Sequence, residues 1–233
     1  MNRRLQAIEN MILPGIGVID VGTDHGYLPV SLARHGYPGA LFASDIGEGP
    51  LSAARRSAEA AGLAERITFQ LCDGLELCDP TSVDTIVIAG MGGDTICGIL
   101  DRAEWCMHAR YRLILQPMTR AEVLRYWLVN NEFVIVEERL VADGGEIYSV
   151  FSARFGGSMK LMDAELYTGA FTMLEQEPLW PAFLARQLAR FRKLLQGLRQ
   201  SGREPGRLEL TESILMELEK ERIKYADGTG DLS

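Results

Sequence analysis

The chain has 233 residues, 47% of them hydrophobic, which fits one α/β domain with a packed core and a smaller additional element. It contains no apolar run of membrane-spanning length and its N-terminal residues are too polar for a signal peptide, so a cytoplasmic protein is expected. The formal net charge of −8, taken alone, argues against nucleic acid as a partner, although the distribution of charge matters more than its sum.

The rest of the chain is organised around residues 17–29, with the sequence GVIDVGTDHGYLP. A short amphipathic helix is predicted before them, over residues 3–12. The apolar run that precedes Gly22 predicts a buried β-strand, the glycine predicts a turn, and residues 27–35 predict a helix. A strand, a glycine turn and a helix in this order begin a nucleotide-binding α/β unit.

The turn of this unit is acidic. Asp20 lies near the end of the strand and Asp24 at the apex of the turn, in the pattern Asp-x-Gly-x-Asp-x-Gly. This negative charge would repel the pyrophosphate of a dinucleotide, whereas it would attract the sulfonium and ammonium groups of S-adenosylmethionine. Asp20 and Gly22 are therefore predicted to bind S-adenosylmethionine as the cofactor. A tight structural turn with solvated acids is the alternative.

Two further acids are predicted at the same edge of the sheet. Residues 40–45 predict a second strand that ends in Asp45, about twenty residues after the glycine turn, where an acid can bind the ribose hydroxyls. An N-cap of the next helix is the alternative for this residue. Residues 66–71 predict a third strand, after which Asp73 would accept from the cofactor's adenine amine and Gly74 would allow close backbone approach. A plain Asp-Gly turn explains Asp73 and Gly74 equally well.

A glycine-rich segment, residues 90–93, follows a fourth predicted strand at residues 83–89. Gly90 and the preceding Ala89 are predicted to contact the cofactor, since a backbone without side chains can approach the methyl donor closely. The next three residues are predicted to bind the substrate and to leave room for a flat base: Met91, Gly92 and Gly93. A flexible loop between strand and helix is the alternative.

The remaining elements complete the predicted sheet. Residues 111–117 predict a fifth strand, Thr119 is predicted to cap the next helix, and residues 133–141 and 147–154 predict a closing antiparallel hairpin. Five βα units followed by a hairpin form a seven-stranded, Rossmann-like class I methyltransferase sheet of the α/β class.

A change of composition at residues 156–158 divides the chain into a catalytic domain, residues 1–157, and a helical domain, residues 158–233. Within the latter, residues 183–200 and 208–225 predict two long helices with narrow apolar seams. A short turn joins them, so an antiparallel coiled-coil hairpin is expected.

Charge is unevenly distributed in this hairpin. Its second helix is acidic, whereas cations cluster on the first helix and the turn: Arg186, Arg190, Arg192, Lys193, Arg199, Arg203 and Arg207. Salt bridges between the helices are one explanation. A basic face that meets phosphates is the other, with Arg186, Arg190 and Lys193 as substrate-binding residues. Arginines of the first domain could add a basic rim: Arg3, Arg4, Arg34, Arg55, Arg56, Arg120 and Arg125.

The cysteines and histidines predict no metal site. The four cysteines contain no Cys-x-x-Cys pair, and the chain has only three histidines. The expected state of the cysteines is therefore that of reduced thiols in the cytosol, without structural zinc.

Four segments together resemble one family. DVGTDHGYLP at residues 20–29 resembles the signature DIGSDHAYLP, and IAGMGG at residues 88–93, DGL at residues 73–75 and LILQP at residues 113–117 match in order and spacing. The family is the bacterial tRNA adenine-N1 methyltransferases, often called TrmK, which modify an adenine in the D-arm region. The resemblance covers residues 1–155 and is only architectural in the tail. It implies an S-adenosylmethionine-dependent cytosolic enzyme with tRNA as its substrate.

Asp24 and Tyr27 are the candidate catalytic residues for such a reaction. When adenine N1 attacks the sulfonium methyl group, the product is cationic unless a proton leaves N6. A carboxylate that accepts from the N6 amine would stabilise the developing charge, and Asp24 lies just beyond the cofactor turn. Tyr27 could stack on or orient a base that is flipped out or unpaired. His25 is a weaker candidate base.

Two other functions remain open at this point. A small-molecule methyltransferase could use the same sheet, although the basic helical appendix weighs against it. A non-catalytic module that binds S-adenosylmethionine or RNA is the second, and Asp24 beside an open glycine-rich rim weighs against that one. The sequence does not fix the oligomeric state and is compatible with a monomer.

Overall fold

A computed structural model describes residues 2–202 and 204–229, with the side chains beyond Ala226 left aside. Contacts cluster into two compact units, Met1–Met159 and Lys160–Ser233, a division two residues beyond the one expected. None of the described helices combines the length and the apolar character that crossing a membrane requires.

The first unit is built on a seven-stranded sheet in the order β3-β2-β1-β4-β5-β7-β6, which confirms the predicted class I methyltransferase fold. Strands β1 to β5 run parallel, and β7 lies antiparallel between β5 and β6. The strands are β1 (Gly17–Val21), β2 (Ala40–Asp45), β3 (Thr68–Leu71), β4 (Thr85–Gly92), β5 (Arg112–Thr119), β6 (Phe133–Asp143) and β7 (Glu146–Phe155).

Five helices accompany these strands. They are α1 (Arg3–Met11), α2 (Tyr27–Arg34), α3 (Glu48–Ala60), α4 (Gly93–Asp101) and α5 (Ala121–Asn130). β1 is buried along its whole length and β4 over its first four residues, as expected of parallel strands covered by helices, and both strands are largely apolar there. Every residue of β1 is buried, including Asp20, and this places a carboxylate inside the core at the edge where the cofactor was predicted.

Two local predictions around β4 and β5 were wrong. The fourth strand was predicted to end at residue 89, but β4 continues through residues 90–92 and pairs with β5 across an irregularity at Gly90, which excludes the flexible-loop alternative for these residues. Thr119 belongs to β5, and the N-cap of α5 is Arg120, which adopts a left-handed conformation with φ of 55° and no capping side-chain bond. Both differences arise because β5 continues past Pro117 to Thr119. β4 extends in parallel to Gly92 and pairs with it.

Arg125 does not belong to a basic rim, contrary to the expectation from the sequence. Its side chain is fully buried and forms an ion pair with the equally buried Glu138. Arg125 also donates to Ser149 at 3.0 Å and lies over the Phe151 ring. This pair joins α5 to the β6–β7 hairpin inside the core.

The second unit consists of four helices: α6 (Asp163–Thr168), α7 (Phe171–Leu174), α8 (Trp180–Ser201) and α9 (Pro205–Thr229). Gly202, with φ of 60°, ends α8 in the left-handed conformation typical of a C-cap glycine. Ion pairs join Arg199 to Glu212 at 2.8 Å and Arg192 to Glu219, so the two long helices run antiparallel, as predicted.

The seam of α9 is less apolar than the sequence predicts. Its buried residues are Thr211, Ile214, Leu218 and Glu221, whereas Leu208, Leu215 and Tyr225 are only half-buried. The Thr211 hydroxyl donates to the Arg207 carbonyl at 2.7 Å and is thereby compatible with burial. A seam that contains a threonine and a glutamate cannot be recognised from apolar spacing alone.

All four cysteines are buried free thiols. Burial raises the pKa of Cys78 and of Cys106 to about 12 and that of Cys97 to about 11, and it raises the pKa of Cys72 as well. Because the thiolate is the reactive form, these side chains act as small apolar core residues.

Replacing Glu138 should strongly destabilise the first unit. Glu138→Ala leaves the Arg125 guanidinium buried without its carboxylate, which costs about 3–5 kcal/mol. The matched control is Glu137→Ala, which removes the exposed partner of Arg139 and should cost less than about 1 kcal/mol. Urea unfolding of the two variants measures the difference, and equal midpoints would show that the buried pair contributes nothing.

Candidate active site

A cleft of about 320 Å³ opens at the carboxyl ends of β1, β4 and β5. Ligands of open parallel sheets bind at this edge. Six residues predicted from the sequence line the cleft: Asp20, Gly22, Asp24, Tyr27, Ala89 and Gly90. The fold thus brings together the acidic turn and the end of β4, which are more than sixty residues apart in the chain.

The turn between β1 and α2 is held by the neighbouring strand. The backbone N–H groups of Gly22 and Thr23 donate to the Ser44 carbonyl at 2.8 and 3.0 Å. Gly22 has φ of +71°, and a Cβ there would lie 2.1 Å from the Met91 Cε. The Met91 methyl could move aside, so it is the positive φ that favours glycine here and leaves the backbone of the turn without a side chain towards the cleft.

Asp20 is the most perturbed acid at this site. Its carboxylate is 6% exposed and accepts from the Thr23 hydroxyl at 2.7 Å. The pKa of Asp20 is raised from 3.8 to about 7, chiefly by burial. The Thr23 hydrogen bond lowers this pKa, and the nearby Asp45 carboxylate raises it. A cation placed here would offset the cost of burying the Asp20 charge and its repulsion by Asp45. The two carboxylates therefore fit a sulfonium or ammonium ligand.

Asp45 uses both carboxylate oxygens on backbone groups. One accepts from Gly47 N–H at 2.8 Å and the other from Asp24 N–H at 3.3 Å. The N-cap of α3 is Gly47, so the alternative that made Asp45 a helix cap is wrong. Its role towards a ribose remains a prediction, but the structure ties it directly to the Asp24 turn.

Asp24 and Tyr27 face the open part of the cleft. Asp24 has φ of 50°, unusual for a residue other than glycine, and its side chain is 69% exposed. Its carboxylate lies 3.7 Å from the His25 Nε2. The Tyr27 ring is exposed and stacks on the His25 ring, with centroids 5.3 Å apart. An exposed carboxylate beside an aromatic surface is suited to a planar, hydrogen-bonding ligand.

Three predicted residues near the cleft have clear structural tasks. The Asp73 carboxylate accepts from Arg102 at 2.8 Å. Gly74 is buried, and a Cβ there would lie 2.9 Å from Ile99. Gly93 begins α4, where a Cβ would lie 2.2 Å from the Arg120 carbonyl. Their ligand contacts, like those of Met91 and Gly92, remain predictions.

Sequence reasoning missed Gln116 and named Arg4 only as part of a basic rim, whereas both residues line the cleft. Gln116 is 1% exposed, and its side-chain oxygen accepts from Gly90 N–H at 3.2 Å and from Arg4 at 3.1 Å. A glutamine in an otherwise apolar strand was the signal available in the sequence. Arg4 gave no local signal, because its partners lie more than a hundred residues away.

The cations of α8 separate into two groups. Arg192 and Arg199 pair with carboxylates of α9, which supports the salt-bridge explanation for those two residues. Arg186, Arg190 and Lys193 are exposed, and their spacing of four and three residues places them on one helix face. Arg190 and Lys193 line a shallow groove with Arg207. Arg203 lies outside the described residues.

Comparison with known proteins gives a consistent family. A model described as a methyltransferase domain matches residues 1–151. The tRNA (adenine(22)-N(1))-methyltransferase of Bacillus subtilis (strain 168) is 31% identical over 233 residues, covering 97% of this chain and 98% of that protein.

Solved structures extend the similarity to both units. A putative tRNA (m1A22) methyltransferase of Streptococcus pneumoniae in complex with S-adenosyl-L-methionine has a TM-score of 0.79 at 31% identity, over 92% of this chain and 99% of that one. TrmK of M. capricolum in complex with S-adenosyl-homocysteine has a TM-score of 0.77 at 25% identity, over 97% and 98% of the two chains.

We expect the affinity for S-adenosylmethionine to rise with pH. The pKa of Asp20 in the folded protein is about 7, so Asp20 is largely protonated below that pH, and a cationic ligand must displace the proton. The ionised fraction, and with it the affinity, should increase roughly tenfold between about pH 5.5 and pH 7. Titration calorimetry measures this change.

Asp20→Asn is the control for this titration. It should bind weakly and with little pH dependence. A wild-type affinity that stays flat over the same range would contradict a role for the Asp20 charge.

Proposed function

The chain belongs to the bacterial tRNA adenine-N1 methyltransferases, and on this basis we propose that it transfers a methyl group from S-adenosylmethionine to N1 of adenine 22 in tRNA. The observation that carries the proposal is one cleft that contains a buried carboxylate, Asp20, and beside it an exposed carboxylate and an exposed aromatic ring. A substrate of this kind also implies a cytoplasmic enzyme.

The acidic turn is assigned to the cofactor. Asp20 and Asp45 contribute negative charge at the ends of neighbouring strands, and Gly22 leaves the backbone accessible. Bound S-adenosylmethionine supplies an electrophilic methyl group on a sulfonium. Asp20 would balance its positive charge, and Asp45 would bind hydroxyl groups while it holds the Asp24 turn in place.

Asp24 and Tyr27 are assigned to the adenine. The Asp24 carboxylate would accept a hydrogen bond from the N6 amine and thereby stabilise the positive charge that develops as N1 acquires the methyl group. Tyr27, stacked on His25 and exposed, would support the base by its aromatic face.

The exposed cations of α8 are assigned to the phosphates of tRNA. Arg190 lies over the Tyr167 ring, which holds its guanidinium at the surface, and Lys193 lies one turn further along. Arg186 continues the same face. A local cluster of this kind attracts a polyanion even when the net charge of the protein is −8.

Replacing Asp24 should slow methyl transfer itself. Asp24→Asn keeps the shape of the residue and tolerates the left-handed backbone, but removes the charge that stabilises the developing cation. We expect the single-turnover rate at saturating tRNA and cofactor to fall by roughly 100-fold. Methylation of unmodified tRNA at adenine 22 is the measurement.

The same variant distinguishes three roles of Asp24. If the carboxylate only held the cofactor, its affinity would fall and the saturated rate would not change. If it only stabilised the turn, the melting temperature would fall instead. A saturated rate near that of the wild type would exclude Asp24 as the N6 acceptor, and absence of transfer by the wild-type protein would exclude the proposed reaction.

Neutralising the exposed face of α8 should weaken tRNA binding in a salt-dependent way. The double variant Arg190→Gln, Lys193→Gln should lower the slope of log affinity against log salt concentration by about 1–2. Arg192→Gln, Arg199→Gln is the matched control, because it removes the same charge from residues that pair with α9. Equal losses of slope in both double variants would show that the exposed face has no special role.

A further inference from the structure

The cleft wall formed by β4 contains a β-bulge. Ala89 pairs with Gln116 and Met91 pairs with Pro117, so Gly90 is an additional residue in β4 without a partner in the ladder. Gly90 has φ of +78°, is exposed and lines the cleft. Bulges near active sites redirect the backbone, and they persist only when other groups satisfy the unpaired residue.

A side chain completes the hydrogen bonding of this bulge. The Gln116 Oε1 accepts from Gly90 N–H at 3.2 Å, and the Gln116 Nε2 donates to the Pro117 carbonyl at 3.0 Å. The bulge is therefore fixed only while the amide of Gln116 keeps its oxygen towards Gly90.

Arg4 sets the orientation of that amide. Its Nη1 donates to the same Gln116 oxygen at 3.1 Å, so a reversed amide would place an NH₂ group against the guanidinium. Its Nε donates to Asp143 at 2.8 Å, and its guanidinium lies over the Tyr148 ring. The ion pair and the ring contact fix the side chain of Arg4, a residue of α1, against the β6–β7 hairpin.

We infer that Arg4 is a positioning residue for methyl transfer, which acts through Gln116 to fix the Gly90 backbone beside the reacting adenine. The inference rests on the proposed function, since Gly90 lines the same cleft as Asp24 and Tyr27. Arg4 needs no contact with the substrate. Its effect is to keep one wall of the cleft in a single conformation, because small displacements of a reacting group are costly in rate.

Arg4→Met should lower the single-turnover rate at saturating tRNA and cofactor by about tenfold or more. Arg4→Lys should remain slow, because an ammonium cannot bond Asp143 and Gln116 in the geometry of the planar guanidinium. The control is Gln6→Met, an exposed residue of the same helix, which should keep the saturated rate.

A double-variant cycle identifies the path of the effect. Gln116→Leu removes the amide, and adding Arg4→Met to it should cause little further loss of rate, since both act on one bond network. Amide hydrogen exchange at Gly90 should be faster in each single variant than in the wild type. If Arg4→Met perturbs folding, Asp143→Asn is the alternative variant, because it removes only the ion-pair partner of Arg4. It should also lower the single-turnover rate and speed amide exchange at Gly90, each by a smaller factor.

Three results would overturn the inference: a full rate in Arg4→Met, a full rate in Arg4→Lys, or independent and additive effects of Arg4 and Gln116. The full rate with lysine would mean that only the charge of Arg4 matters. If the wild-type protein did not methylate tRNA, the proposed function would fail, whereas exchange at Gly90 would still decide whether Arg4 fixes this segment.

Discussion

A carboxylate buried beside a second acid on the adjacent strand is the constraint on which this site depends. The parallel register of β1 and β2 pairs Asp20 with Ala43 and Val21 with Ser44, so Asp45 comes only one residue later at the same edge. Burial and this repulsion make ionisation of Asp20 costly. The apolar core of the sheet supplies the stability that offsets this cost of ionisation. A cation bound in the turn would remove the cost. Under the proposed function, the turn would favour a positively charged ligand mainly because Asp20 is buried, with a smaller contribution from Asp45 on the adjacent strand.

Much of the first unit could be predicted because its signals are local. Apolar strands, glycine turns and terminal acids follow one another in the chain, and each strand and helix was found within a few residues of its predicted bounds. The features that were missed depend on partners distant in sequence. Nothing near Arg125 reveals that Glu138 buries its charge, and nothing near Arg4 reveals that it meets Gln116. The bulge at Gly90 similarly depends on how far β5 extends.

The helical unit shows why a count of charges does not predict partners. Arg192 and Lys193 are adjacent in the sequence, yet one pairs with Glu219 on α9 and the other lines an open groove. A helix turns by about 100° per residue, so neighbouring side chains face different surroundings. The salt-bridge explanation holds for Arg192 and Arg199, and the proposed phosphate contacts concern a different face of the same helix.

The burial of every cysteine makes this protein suited to site-specific labelling. With all four thiols enclosed and their thiolates disfavoured, alkylating reagents have no accessible native target on the folded chain. Gly197 lies in the groove with Arg190 and Lys193, and a Cβ there would meet no atom within 4 Å. A fluorophore attached through Gly197→Cys would stand beside the exposed cations of α8 and respond to an RNA strand as it arrives, without any native cysteine having to be removed.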